Sequence, residues 1–529
     1  MRFRFVFCLS LGIGACSSAG GGTVPPGTSN TPSPTDRAPS PYEEATVRAA
    51  ATIRAEDILA DIAFLASDEL AGRDTPSPGL EAAAEFLVAR LIEAGLEPAG
   101  DDGTFIQRFP YTSTTIRTSA RMVAYEGAAG TEVLEYAHDY YVIPGQQIAL
   151  DANVVFGGFA AEPASGLAPI ARESVVVFTV DGNPVVGTGE DLITAFQAAG
   201  QAGAAAVVLV LDETHVTDSI RDLASGLAGA GLVTPLPIVG LSLESARELF
   251  AAAGLDLATM RESRLETAMT LEGITMTVSA PFDVSEHTPP NVVGILPGSD
   301  PVLRDQYIIY TAHFDHVGIG LPDESGDSIY NGADDDASGT SVLLATAAAF
   351  GALEVRPARS VLFLAVSGEE KGLLGSKYFS ENPTVPLEGI IMNINLDMVG
   401  RNHPDTLIGV GRQYTNLGPL TDRILMEHPE LGFTVIEDPK PEDQAFFRSD
   451  HLHFVNKDIP AIFFTTWDHE DYHKPSDEVE LIDSEKAARV AKMVFYLGAR
   501  IAEGTIDPEW TETGLAEVRR ILAGGTAGN

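Results

Sequence analysis

Cysteine is almost missing from this chain: of 529 residues only Cys8 and Cys16 carry a thiol. The rest of the chain can form no internal disulfide, and it offers no thiolate as metal ligand or nucleophile. Cationic side chains are scarce too, 33 Lys plus Arg against 75 Asp plus Glu, for a formal net charge of -42. A surface of that sign excludes nucleic acid as a partner, because binding it needs basic patches. Past the first residues no apolar run is long enough to span a bilayer. What remains is 45% hydrophobic and 20% charged, the balance of a folded soluble protein, in a chain too long for one ordinary core. Two or more domains are expected.

The N-terminus reads as a signal. Arg2 and Arg4 precede the short apolar stretch "FVFCLSLGIGA", which ends in small residues. The ending "IGAC" resembles the bacterial lipobox, so cleavage before Cys16 and lipid on that thiol are expected. The Ser/Gly/Pro/Thr run after it suits a flexible tether. This division gives a signal over 1–16 and a tether over 17–44. It implies a cell-envelope protein outside the cytoplasm, attached to a membrane, with the outer membrane favoured, or secreted.

Further on, "AEFLVARLIEAGLEPAG" has a helical period and a stop at Gly95 and Pro98. From about residue 142 to 280 the composition turns to Gly, Ala and Val. "SVVVFTV" and "AAAVVLVLD" read as buried strands around the helix "DLITAFQAAGQAG". This is a smaller α/β module without any histidine or carboxylate constellation. Then "QYIIYTAHFD", "SVLFLAVSGEE", "GIIMNINLDMVG" and "PAIFFTTWDHEDYH" each run from apolar, β-branched residues into charged ones. Such strands, alternating with helices, indicate a mostly parallel mixed sheet flanked by helices, with ligands bound beyond the carboxyl ends of the strands. The expected division is 45–140 for the first part of the main domain, 141–282 for the inserted module, 283–505 for the catalytic part and 506–529 for a tail helix.

The strand ends and one loop hold His313 and Asp315, then Asp334, Asp335 and Asp336 in "NGADDDASGT", then Glu369 and Glu370, Asp397, and Tyr472 with His473. A set of His and carboxylate groups without Cys matches zinc or another borderline divalent metal at a catalytic site. Two imidazoles and three carboxylates suffice for two metals only if one carboxylate is shared.

These motifs, HxD, GADDxASG, EE-x-G-x-x-GS, LDM and YH, occur here in the order found in the di-zinc exopeptidases, the family of bacterial leucyl aminopeptidases and glutamate carboxypeptidase II. The chain resembles that family over residues 58–140 and 289–502. The inserted module resembles a protease-associated domain. The resemblance implies two zinc ions per chain, one held by His313 and Asp397, the other by Glu370 and His473, with Asp335 bridging both. It implies a cis bond between Asp335 and Asp336. Asp315 is expected to accept the second ring N–H of His313 and fix its tautomer. Glu369 is implied as the general base toward a metal-bridging water, and Tyr472 as a donor to the oxyanion. Arg448, in "FFRSDHLHF", is implied to line the substrate pocket, with Asp450 orienting a neighbour.

His316, His451, His453 and His469 are read as structural, because the implied ligand set is complete without them. "LPDESGDS" reads as a solvated loop. The implied activity is removal of N-terminal residues from peptides. Alternatives are a carboxypeptidase or dipeptidase of the glutamate carboxypeptidase branch, a glutaminyl cyclase, and a binding protein on a peptidase scaffold. The catalytic half is poor in the arginines that the carboxypeptidase branch needs, and a binding scaffold loses the ligands that this chain keeps. Oligomeric state is not readable from the sequence.

Overall fold

Four strands, three of seven residues and one of five, with nearly every residue buried, form the centre of the main sheet. Ser360–Val366, Tyr307–His313, Ile390–Leu396 and Ala461–Thr465 run parallel, in that spatial order. In this computed structural model the described residues are 39–116, 122–136, 138–142, 148–180, 189–210, 236–262, 264–280, 282–320, 322–323, 325–441 and 445–522. The expected signal lies outside them, as does all of the expected tether before residue 39. The first helix, Pro41–Ala50, begins inside the stretch expected to be tether.

The strands are apolar throughout because both faces are covered. Ile308, Tyr310 and Ala312 point into one core with Val361, Phe363 and Ala365. Ile309 points into the opposite one with Leu362, Leu364 and Val366, as the two-residue period of a strand requires. The first core is closed by the helices Ala55–Leu65, Pro78–Glu93, Gly339–Gly351 and Ser484–Ala502. Phe379 and Phe454, on the helices Leu374–Glu381 and His451–Val455, close the second. Antiparallel strands flank the parallel centre: Pro290–Leu296 pairs with Ser360–Val366, and Thr406–Val410 with Ala461–Thr465. Tyr307–His313 lies between the two strands that follow it in the chain. The strand order therefore reverses there, and the crevice of the sheet opens at its carboxyl end.

A second sheet has eight strands. Ile148–Phe159, Val175–Thr179, Ala206–Val210 and Ile238–Leu241 are parallel, and the others pair antiparallel around them. Gly189–Gln201 and Leu243–Ala252 are its longer helices among the described residues. Two of its strands, Met122–Gly127 and Gly130–Val133, precede the boundary at 141. Gly130–Val133 is the edge strand and is exposed throughout, whereas Met122–Gly127 is paired on both sides and buries Val123, Ala124 and Tyr125. Tyr111–Ile116 pairs with Phe282–His287 where the chain passes between the sheets. Near the C-terminus, Gly514–Leu522 is helical and buries Val518 beside Val410 and Phe446.

Candidate metal centre

Asp334, Asp335 and Asp336 face three different sets of partners. Asp334 Oδ1 accepts the N–H of Gly400 at 2.7 Å. Asp336 accepts from Gly339 and Met398 through Oδ1, at 2.9 and 3.1 Å, and from the backbone of His313 through Oδ2 at 3.2 Å. Gly339 opens a helix, so Asp336 also faces the positive end of its dipole. Asp335 differs. Its Oδ1 lies 3.3 Å from His313 Nε2, and its Oδ2 lies 3.1 Å from His473 Nε2. The bond between Asp335 and Asp336 is cis.

Around those two oxygens the other groups collect. Asp397 Oδ1 is 3.6 Å from His313 Nε2, and Glu370 Oε2 is 3.2 Å from His473 Nε2. Two ligands of one tetrahedral zinc, each about 2.0–2.1 Å from it, stand about 3.3 Å apart. The spacings observed are those of donors arranged around a common cation. Asp335 Oδ2 is buried and accepts no hydrogen bond, a costly state for a carboxylate unless a cation faces it. The donor set therefore fits two divalent ions, with one oxygen of Asp335 turned to each. Asp336 lies close enough to join His313 and Asp397, but both of its oxygens are already engaged by backbone N–H groups. Burial alone would raise the pKa of Asp335. The rings of His316, His313 and His473 overcome that and hold it well below the usual carboxylate range.

The loops that carry these groups are tied together from behind. Arg73 is fully buried and donates to the carbonyls of Phe314, Asn331 and Gly332. Burial lowers its pKa to about 10, which leaves it charged at neutral pH. Asp477 accepts the N–H groups of Asp334 and Asp335. Ser449 Oγ donates to Asp397 Oδ2 at 2.7 Å, oriented by a bond from Asn395 Nδ2.

A cleft opens over the centre. Glu369, Tyr472 and Arg448 line it together with His313, Asp335 and Asp397; Phe463, Met398 and Trp467 give it an apolar side. Burial pushes the Glu369 carboxyl well above its usual range. Tyr472 stacks on His473, ring centroids 3.9 Å apart, and burial raises its hydroxyl pKa as well.

Asp315 departs from its expected contact. The acceptor nearest His313 Nδ1 is the Asp315 carbonyl, at 3.2 Å, while its carboxylate is 3.7 Å away, beyond hydrogen-bond reach. The carboxylate accepts instead from Thr75 Oγ1 and from the N–H of Glu369, at 2.9 and 3.2 Å. The tautomer of His313 is thus fixed by backbone, and the side chain of Asp315 supports Glu369. His469 stands 3.4 Å from Asp334 Oδ2, and His451 stacks on Phe463. His316, which the sequence reads as structural, lies close to the metal donors. It sits among the donors of Asp335, Glu370 and His473.

Residues 291–498 match the model of peptidase family M28. A "probable zinc metalloprotease" of Pyricularia oryzae is 31% identical over 162 residues, 30% of this chain and 29% of that protein. The "leupeptin-inactivating enzyme 1" of Streptomyces exfoliatus is 28% identical over 190 residues, 36% of this chain and 38% of that protein. The chain thus matches less than two fifths of the length of either relative. The solved aminopeptidase of Aneurinibacillus sp. strain AM-1 shares the fold, with a TM-score of 0.59 at 20% identity over 86% of this chain and 95% of its own.

Proposed function

Because residues 291–498 match the model of peptidase family M28, we propose that the chain is a di-zinc exopeptidase, and specifically an aminopeptidase. The observation that carries this reading is the divided carboxylate of Asp335, with one oxygen toward His313 and the other toward His473. When bound, two zinc ions supply Lewis acidity to a scissile carbonyl and lower the pKa of an attacking water.

The chain's own groups do the rest. His313 and Asp397 would hold one ion, Glu370 and His473 the other, and Asp335 would serve both. Glu369, placed by its own N–H on Asp315, accepts the proton of the attacking water and later returns it to the leaving amine. The Tyr472 hydroxyl donates to the oxygen that gains charge in the tetrahedral state. Arg448 and the apolar wall of Phe463, Met398 and Trp467 receive the substrate. The second sheet, in this reading, is an inserted protease-associated module. The sequence over residues 1–44 supports an extracytoplasmic body anchored through lipid on Cys16; no described helix is long and apolar enough to cross a membrane.

The test is to incubate zinc-loaded protein with mixed peptides, half of them blocked at the amino end, and to read the products by mass spectrometry. Loss of single residues from free amino ends alone is expected. Shortening from the carboxyl end would replace this reading with the carboxypeptidase alternative.

A further inference from the structure

His316 lies on the loop just past Tyr307–His313 and is fully buried. Its backbone is held by the carbonyl of Arg73, to which its N–H donates at 3.3 Å. Its ring packs against Gly332, whose φ is +57; a Cβ there would come within 2.5 Å of His316 Cδ2. The ring therefore has little freedom. Its Nδ1 is 2.8 Å from Glu370 Oε1 and 3.6 Å from Asp335 Oδ2, and its Nε2 makes no hydrogen bond. The other oxygen of Glu370, Oε2, is the one that faces His473 Nε2.

The two neutral tautomers are not equivalent here. With the proton on Nδ1, the ring donates to Glu370 and leaves only a lone pair unpaired at Nε2. With the proton on Nε2, a buried N–H would have no acceptor, and the Nδ1 lone pair would confront a carboxylate oxygen at 2.8 Å. The first arrangement is strongly favoured, since an orphaned buried donor is costly. We infer that His316 is a positioning residue of the cation site formed by Asp335, Glu370 and His473: its Nδ1–H occupies Glu370 Oε1, so that Oε2 alone is turned toward the cation. The inference rests on the two-zinc reading above.

Zinc binding by the full chain tests it without reference to activity. Metal-free protein is titrated with zinc against a chromogenic chelator, and the visible spectrum of the cobalt(II) form is recorded. The wild type is expected to take two equivalents. In His316→Ala one site weakens by about 10–100-fold, the loss typical when a ligand's hydrogen-bond partner is removed, and the other site keeps its affinity. His316→Asn restores most of that affinity, because its amide N–H stands where the ring Nδ1–H stood, and it leaves the cobalt spectrum like that of the wild type. His316→Gln places its amide one bond further out and fails to restore it, a contrast that holds even if the alanine variant does not fold. Unchanged zinc affinity in His316→Ala would overturn the inference. So would an asparagine variant as weak as alanine with an altered cobalt spectrum, which would make His316 itself a ligand. If the wild type bound fewer than two equivalents, the two-zinc reading would be the one at fault, and this inference would fall with it.

Discussion

Asp477 Oδ2 accepts the backbone N–H of Asp335 at 3.2 Å, so a residue on the His473 loop holds the segment that presents the shared carboxylate. The same oxygen accepts from Asp334 at 3.0 Å, and the Asp477 carbonyl accepts from Ala333 at 3.1 Å. Burial and the neighbouring Asp334 raise the Asp477 pKa to about 7, yet these contacts require an acceptor. Asp477→Ala is expected to leave two buried N–H groups unpaired and to lower the stability of the zinc-free protein by about 2–4 kcal/mol. Urea unfolding measures this. A midpoint equal to that of the wild type would show that the contact does not hold the loop.

Glu369 lines the cleft beside the ligands, and its assigned task is proton transfer. Glu369→Ala is expected to keep two zinc ions per chain and to lose about 10²–10⁴-fold in kcat. Metal content and peptide turnover are measured on the same preparation. Loss of zinc together with activity would make Glu369 a structural residue of the site instead.

Tyr472 stacks on His473 and also lines the cleft. Tyr472→Phe keeps the ring and removes only the hydroxyl. If that hydroxyl serves the tetrahedral oxygen, kcat falls by about 10²–10³-fold while KM changes little. An unaltered kcat would leave the ring with a packing role alone.

Removing metal should also cost stability. The buried carboxylates of Asp335, Glu370 and Asp397 lie together, and zinc that binds only the folded state adds about 2.7 kcal/mol per site at 100 times its Kd. Chelation is therefore expected to lower Tm by several degrees, reversibly on return of zinc. Scanning calorimetry with and without chelator reads this directly, and identical transitions would argue against metal at this site.

Much of this was legible in the sequence. Apolar runs such as "YIIYTAH" and "VLFLAV" announce strands covered on both faces, and the residues placed just beyond them meet at the sheet crevice as expected. The triplet of aspartates could be divided only by resemblance; the structure divides it by backbone donors, since Gly339, Met398 and Gly400 engage two and leave the third. Other features left no such trace. Arg73 binds carbonyl groups, and a carbonyl has no sequence signature. Asp315 turns its carboxylate to Thr75 and Glu369 because of how separate loops meet. His316 was set aside because the ligand set was complete, although its place three residues after His313 in "HFDH" was the one available hint. The edge strand Gly130–Val133 of the second sheet is exposed throughout, so composition alone could not assign it.

The central claim is that Asp335 stands between two metal ions, and anomalous scattering tests it most directly. Crystals of the zinc-loaded protein would be measured above and below the zinc absorption edge. Two peaks are expected, one beside Asp335 Oδ1 with His313 and Asp397, the other beside Oδ2 with His473 and Glu370. A single peak, or two peaks that do not both contact Asp335, would contradict the account.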